Sequence, residues 1–310
     1  MLHGVDYAYV NMVTPRNTKQ VRPTGNSTDV INLKVPFEWM QYPRATHHLY
    51  KMITTPENDV QTFMKLPQKK YYRSRAHCNP LSHNDCFNYP QTPNQMDWTR
   101  HYPDIQTPYE MKLIKCVDFL DIGCGFGGLT VKLAELYPEK LTLALEIRAK
   151  VTEYVRLRIE ALRKEHSGQF QNVSVLRTNA MRYLPHYFDK GQIRKMFFCF
   201  PDPQFKTRLH RRRIVHTPLL AEYAYFLAPG GILYTITDVE ELHKWHVEKC
   251  SSHPCFTRIM NSELDSDPCV KAMMEETEES KKVARGGGKM YIAVFRRKAN
   301  EDVAVDNLFW

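Results

Sequence analysis

Apolar and polar positions are spread unevenly along the chain. Up to about residue 110 no stretch keeps a period of two or of 3.6, and Pro, Asn, Thr, His and Tyr are frequent. Eleven of the 19 prolines lie there, from Pro15 to Pro108, and each breaks a helix interior. Residues 1–66 are therefore expected to be a poorly ordered extension, and 67–110 an irregular arm that docks on another surface. From Leu113 the texture changes. Apolar runs at 116–121, 141–146, 173–177, 193–200, 232–237, 256–260 and 289–297 read as buried strands. Helical spacing marks 129–137, 150–163, 217–227 and 239–250. The third of these helices is expected to stop at Pro229-Gly230-Gly231. Strands alternating with helices imply an α/β fold, a mostly parallel sheet covered on both faces.

Composition narrows the class without naming a reaction. The 310 residues are 43% hydrophobic and 25% charged, which is ordinary for a globular chain. No apolar run approaches the roughly 18 residues of a membrane span. The first ten residues lack the basic-then-apolar order of a signal peptide, so the eight cysteines are expected to be thiols. The net charge of +9 points to an anionic partner of unspecified kind.

Chemistry concentrates where the first strand ends. Asp121-Ile-Gly123-Cys-Gly125-Phe-Gly127-Gly128 follows a strand and opens a helix, so the backbone turns tightly and leaves room for a ligand. Glu146 ends the second strand and can accept adenosine ribose hydroxyls. Two ligands satisfy this pattern: a nicotinamide cofactor and S-adenosylmethionine. Asp121 favours the second, because a carboxylate there repels a pyrophosphate and attracts the ammonium and sulfonium of a methionine moiety. The D-x-G-x-G-x-G pattern with an acid on the next strand resembles the class I methyltransferases.

After the fourth strand comes Phe200-Pro201-Asp202-Pro203-Gln204-Phe205-Lys206. Asp202, held between prolines, suits a target with N–H donors, such as the N1–H and N2–H₂ of guanine. Guanine N7 carries a free lone pair, so its methylation needs positioning and charge stabilisation, not a general base.

Longer stretches make the resemblance specific. DIGCGFGG (121–128), LEIR (145–148), Asn179-Ala180-Met181, FFCFPDPQF (197–205), LAEYAY (220–225), YTITD (234–238), Thr277-Glu278-Glu279 and Lys281-Lys282-Val283 are similar to the eukaryotic tRNA (guanine-N7-)-methyltransferases, catalytic subunit. The likeness runs from about Gln68 to Arg297, leaving 1–66 and a tail at 299–310 outside it. It implies a Rossmann-like, seven-stranded, mostly parallel sheet with helices on both faces, in a domain spanning 111–298. It implies S-adenosylmethionine held by Gly123, Glu146, Arg148, Asn179, Ala180 and Cys199, with Thr277, Glu278 and Glu279 in a late loop that closes over it. It implies Asp202 as the active-site aspartate and methylation of a variable-loop guanosine of tRNA, nucleotide 46. A WD-repeat non-catalytic partner and a nuclear location follow from the same likeness.

Two basic runs carry much of the charge: Lys69, Lys70, Arg73 and Arg75 with Tyr71 and Tyr72, and Lys206, Arg208, Arg211, Arg212 and Arg213 beside the Asp202 corner. Cations interleaved with aromatics suit RNA phosphates and bases. Cys78, His83 and Cys86, and Cys250 and Cys255 near His246 and His253, lack zinc-ligand spacing, and no metal is expected. The alternatives are a methyltransferase for another RNA or a small molecule, and a non-catalytic RNA-binding scaffold.

Overall fold

The computed structural model describes residues 7–13, 30–36, 66–75, 78–82, 86–103 and 116–303. It divides into two units, Met1–Thr62 and Phe63–Trp310. In the first, β1 (Tyr7–Val13) pairs antiparallel with β2 (Val30–Pro36), from Tyr7 opposite Pro36 to Val13 opposite Val30. Of the expected poorly ordered extension 1–66, Tyr7–Val13 and Val30–Pro36 form this paired ribbon, and nearly all the rest lies outside the described residues. Tyr and Val in Tyr7–Val13, and Val and Ile in Val30–Pro36, supply the strand propensity that the proline count obscured.

The second unit is built on a seven-stranded sheet. In chain order its strands are β3 (Val117–Ile122), β4 (Leu141–Glu146), β5 (Val173–Arg177), β6 (Ile193–Cys199), β7 (Leu227–Thr237), β8 (Phe256–Arg258) and β9 (Tyr291–Arg297). Their spatial order is β5-β4-β3-β6-β7-β9-β8. β3 to β7 run parallel, and β9 is antiparallel to β7 and β8. Helices α1 (Gly128–Leu136), α2 (Ala149–Glu165), α3 (Ala180–Tyr183), α4 (Thr217–Phe226), α5 (Glu240–Ser252), α6 (Asn261–Leu264), α7 (Pro268–Glu276) and α8 (Glu278–Arg285) connect them. This is the Rossmann-like fold of class I methyltransferases.

Alternation along the strands sorts the core onto two faces. Leu120 and Phe198 pack with Leu219, Leu220 and Tyr223 of α4. Phe119 and Phe197 pack with Leu129 and Leu133 of α1 and Met273 of α7. Each fully buried Leu or Phe stabilises by about 1.5–3 kcal/mol. The strand order reverses between β3 and β6, which leaves a crevice beyond their carboxyl ends.

Two elements differ from the pattern reading. α4 ends at Phe226, beside the expected stop, but β7 starts at once at Leu227 and runs through Pro229-Gly230-Gly231, well before the expected 232. Pairing jumps from Ile193 opposite Leu227 to Lys195 opposite Ile232, so a bulge absorbs the extra residues. Gly230 has φ +80°, and a Cβ on Gly231 would stand 2.8 Å from the Ala228 carbonyl oxygen. The late segment around Thr277 is not a loop: Thr277 caps α8 by accepting the Ser280 amide at 2.9 Å.

The arm docks on its own domain, along β5, α2 and α3. Tyr72 packs edge-on against Tyr154 at 5.6 Å, and Tyr89 stacks on Tyr183 at 4.5 Å. Tyr102 is buried and donates to the Thr142 carbonyl at 3.1 Å. No described helix is long and apolar enough to cross a membrane.

Candidate active site

The crevice between β3 and β6 opens into a cleft of about 200 Å³. The glycine turn forms one wall. Gly123, Gly125 and Gly127 have φ of +76°, +57° and +73°, the left-handed region that side chains disfavour. The amide of Gly123 donates to the Leu145 carbonyl at 2.8 Å, tying the turn to β4. The Cβ positions of Gly123 and Gly125 face open space, whereas a Cβ on Gly128 would stand 2.0 Å from the Glu276 carbonyl oxygen. The first two glycines leave a cradle; Gly128 lets the end of α7 lie directly on α1.

Glu146, buried at the end of β4, is the cleft's most heavily bonded group. Its Oε1 accepts from the Arg148 amide at 3.0 Å and from Arg148 Nε at 3.0 Å. Its Oε2 accepts from Arg148 Nη2 at 2.7 Å and from the Gly125 amide at 3.2 Å. A carboxylate has about four acceptor positions, and the protein fills them all. Any ligand hydroxyl that reaches Glu146 competes with Arg148. Asn179 follows β5 and caps α3, its Oδ1 accepting from the Met181 amide at 3.0 Å. Its Nδ2 donates to the Pro80 carbonyl at 2.6 Å and brings the arm to the cleft.

Asp121 lies below the glycine turn, fully enclosed, and accepts from Thr130 Oγ1 at 2.6 Å. Burial pushes its carboxyl up to about 7. Burial likewise raises the thiols of Cys124 and Cys199, which keeps both protonated and poor nucleophiles.

The opposite wall is the corner after β6. Phe200 and Gln204, on either side of Pro201-Asp202-Pro203, have φ of +50° and +46°. Left-handed backbone at such residues costs on the order of 1–2 kcal/mol each, so the surroundings must hold the turn. They do so from both sides. The Phe200 amide donates to the Ile236 carbonyl at 2.8 Å, and the Gln204 amide donates to Asp202 Oδ1 at 3.2 Å. From behind, Arg213 Nε donates to the Pro203 carbonyl at 2.9 Å.

That contact corrects one expectation. Arg213 is 1% exposed, donates from Nη2 to Glu241 at 2.8 Å and lies over Trp245 at 4.6 Å, so it braces the Asp202 turn and cannot reach an RNA phosphate. Lys206, Arg208 and Arg211 are exposed. Arg212 turns inward to line the cleft, and its Nε is buried without an acceptor among the described residues. In the arm, Lys69, Lys70, Arg73 and Arg75 are exposed. Lys69 pairs with Glu278 and lies 5.6 Å from the Phe126 ring centre, and Lys70 covers Tyr71.

One cleft therefore gathers Gly123, Glu146, Arg148, Asn179, Ala180, Cys199 and Asp202. Thr277, Glu278 and Glu279 do not line it. Thr277 is 9% exposed with its hydroxyl committed to Ser280, and Glu278 is engaged by Lys69 over the glycine turn. Cys78, Pro80, Gln204 and Arg212 line the cleft without having been singled out for it. The inward turn of Arg212 had no signal in a run of cations. Among the described residues no cluster of three or more metal-ligating side chains occurs; His83 lies outside them.

A family model described as "Putative methyltransferase" matches residues 115–293. The chain is 52% identical over 242 residues to a tRNA (guanine-N(7)-)-methyltransferase of Caenorhabditis elegans, covering 77% of this chain and 92% of the relative. An Arabidopsis thaliana protein of the same name is 53% identical over 247 residues, covering 78% and 98%. A Lodderomyces elongisporus protein of that name is 44% identical over 297 residues, covering 93% and 95%, a span that reaches into residues 1–66. The chain belongs to the tRNA (guanine-N(7)-)-methyltransferase family.

Proposed function

We propose that this protein transfers the methyl group of S-adenosylmethionine to N7 of a guanosine in tRNA. The observation that carries the reading is the meeting of two half-sites in one cleft: the glycine cradle with Glu146 and Asn179, and the braced Asp202 corner. The names of the relatives supply the acceptor.

The residues fit the cofactor. Gly123 and Gly125 leave open space where side chains would stand, and Asp121 lies buried beneath, accepting from Thr130. Gly123 and Ala180 would border it, Asn179 would meet the adenine, and Glu146 would take the ribose once Arg148 yields its place. When bound, S-adenosylmethionine supplies an electrophilic methyl on a sulfonium. The protein's own part is positioning and charge. Asp202 accepts from the N1–H and N2–H₂ edge of guanine and so orients the base. The purine turns cationic as N7 is alkylated, and the same carboxylate stabilises that charge. No general base is required, because N7 carries no proton. Cys199 and Phe200 give the cleft an apolar wall.

The exposed cations Lys206, Arg208 and Arg211 beside the corner, and those of the arm, suit RNA phosphates. Resemblance supports the finer assignments: a variable-loop target, a WD-repeat partner that holds enzyme and tRNA in register, and a nuclear location. The same resemblance assigns Thr277, Glu278 and Glu279 to the cofactor, reached from the α7–α8 junction against α1. The test is incubation of the protein with tRNA and labelled S-adenosylmethionine, with and without a WD-repeat subunit. The expected product is 7-methylguanosine; a methyl on any other atom refutes the reading.

A further inference from the structure

Phe205 is 70% exposed, the most exposed large apolar side chain among the described residues. Its place makes that exposure informative. Gln204, immediately before it, lines the cleft and is almost buried, and Asp202 lies three residues back. At Gln204 the backbone takes φ +46°, and the two neighbours part: the Gln204 side chain lines the cleft and the Phe205 side chain is left in solvent. Phe205 itself is not part of the lining. Behind the turn, Arg213 pins Pro203, so the ring stands on a fixed base. Beyond it, Lys206, Arg208 and Arg211 are exposed, in reach of a polyanion's backbone.

An apolar ring kept in water on a braced turn gains by being covered. A base that enters the cleft must first leave its stack, at a cost of a few kcal/mol. An aromatic face at the rim offsets part of that cost by stacking on a base, whatever its identity. We propose that Phe205 is the stacking platform for the nucleobase next to the one methylated, holding the RNA strand open at the cleft mouth. The proposal rests on the reading that the acceptor is a tRNA guanosine. Phe205 is a positioning residue: it touches the RNA and leaves the reacting atoms to Asp202.

The experiment compares Phe205→Leu, Phe205→Tyr and the unaltered chain on one tRNA carrying 2-aminopurine beside the target guanosine. Leu keeps the apolar surface and removes the π face; Tyr keeps the face. Stacking is worth ~1–3 kcal/mol per base, so Phe205→Leu should lower kcat/KM by about 5- to 150-fold. Phe205→Tyr should restore most of it. Cofactor affinity, thermal midpoint and the dependence of kcat/KM on salt should stay unchanged in both, because no phosphate contact is lost. The 2-aminopurine quench seen with the unaltered chain should vanish with Leu. The proposal is overturned if Leu matches the unaltered chain, if Tyr fails as badly as Leu, or if the quench persists with Leu. Failure of the unaltered chain to methylate tRNA strikes the functional reading instead, and the quench still reports on Phe205.

Discussion

Gly128→Ala sets two effects of opposite sign against each other. Residue 128 opens α1, and alanine is better than glycine in a helix by up to about 1 kcal/mol. Its φ lies outside the left-handed region, so the backbone accepts alanine. Propensity alone therefore predicts a more stable protein. The packing predicts the reverse. The new Cβ would stand 2.0 Å from the Glu276 carbonyl oxygen, 3.1 Å from its carbon and 3.6 Å from Thr277 Cα. Ordinary contact needs ~3.5 Å, so the end of α7 must retreat by more than ~1 Å. The obstacle is backbone, with no side-chain rotamer to relieve it. Overpacking of this kind costs typically about 1–3 kcal/mol. The net, with the full propensity gain subtracted, is a loss of up to about 2 kcal/mol, or a fall in thermal midpoint of up to roughly 8 °C. Gly123→Ala is the contrast: its Cβ meets open space, so its stability loss comes from backbone strain at φ +76°, about 1–2 kcal/mol, and it should in addition lose cofactor affinity, by at least about tenfold, as a methyl enters the cradle. Scanning calorimetry and titration calorimetry on both variants separate the two. A higher midpoint for Gly128→Ala would refute the placement of α7 on the glycine helix.

Other outcomes follow from the same geometry. Arg213→Lys keeps the charge but loses the fork that joins Pro203, Glu241 and Trp245. It should lower kcat by roughly 10- to 100-fold with cofactor affinity intact, as the Asp202 turn loosens; steady-state kinetics beside calorimetry checks it. Asp121 has a folded pKa raised to about 7, above its unfolded value of about 3.9. Its folded form therefore keeps a proton that the unfolded chain releases, and stability falls as pH rises from about 4 to about 7. Asp121→Asn should remove that part of the slope in urea unfolding, and an unchanged slope would contradict it. A cation bound near Asp121 should drive the proton off, so cofactor binding near pH 6 should release protons, measurable by calorimetry in two buffers. Charge reversal of Lys206, Arg208 and Arg211 together should abolish transfer to tRNA while cofactor binding persists.

Local motifs were legible because their constraints are local. The glycine turn and the Pro-Asp-Pro corner follow strands and Glu146 ends one, and strand ends in a parallel sheet converge on one crevice. Where tertiary contacts decide, the sequence was silent. Arg213 reads as one of five surface cations until Trp245 of α5 covers it. The early start of β7, at Leu227 instead of 232, leaves no local trace because a bulge carries it. The arm is irregular in sequence because aromatic contacts with Tyr154 and Tyr183, not backbone ladders, hold it. α7 and α8 had readable signals: Asp267 before Pro268, and Thr277 with two acids in the first turn, bases in the last and Gly286 after it. The resemblance to a late loop hid them.

The central claim concerns one atom of one base. Total tRNA is incubated with labelled S-adenosylmethionine and the chain, with and without a WD-repeat subunit, and the modified nucleotide is mapped by nuclease digestion and mass spectrometry. An Asp202→Ala preparation that still binds cofactor runs alongside. The account predicts 7-methylguanosine in the variable loop, lost with Asp202→Ala. Methyl at any other base or atom, or undiminished transfer by Asp202→Ala, contradicts it.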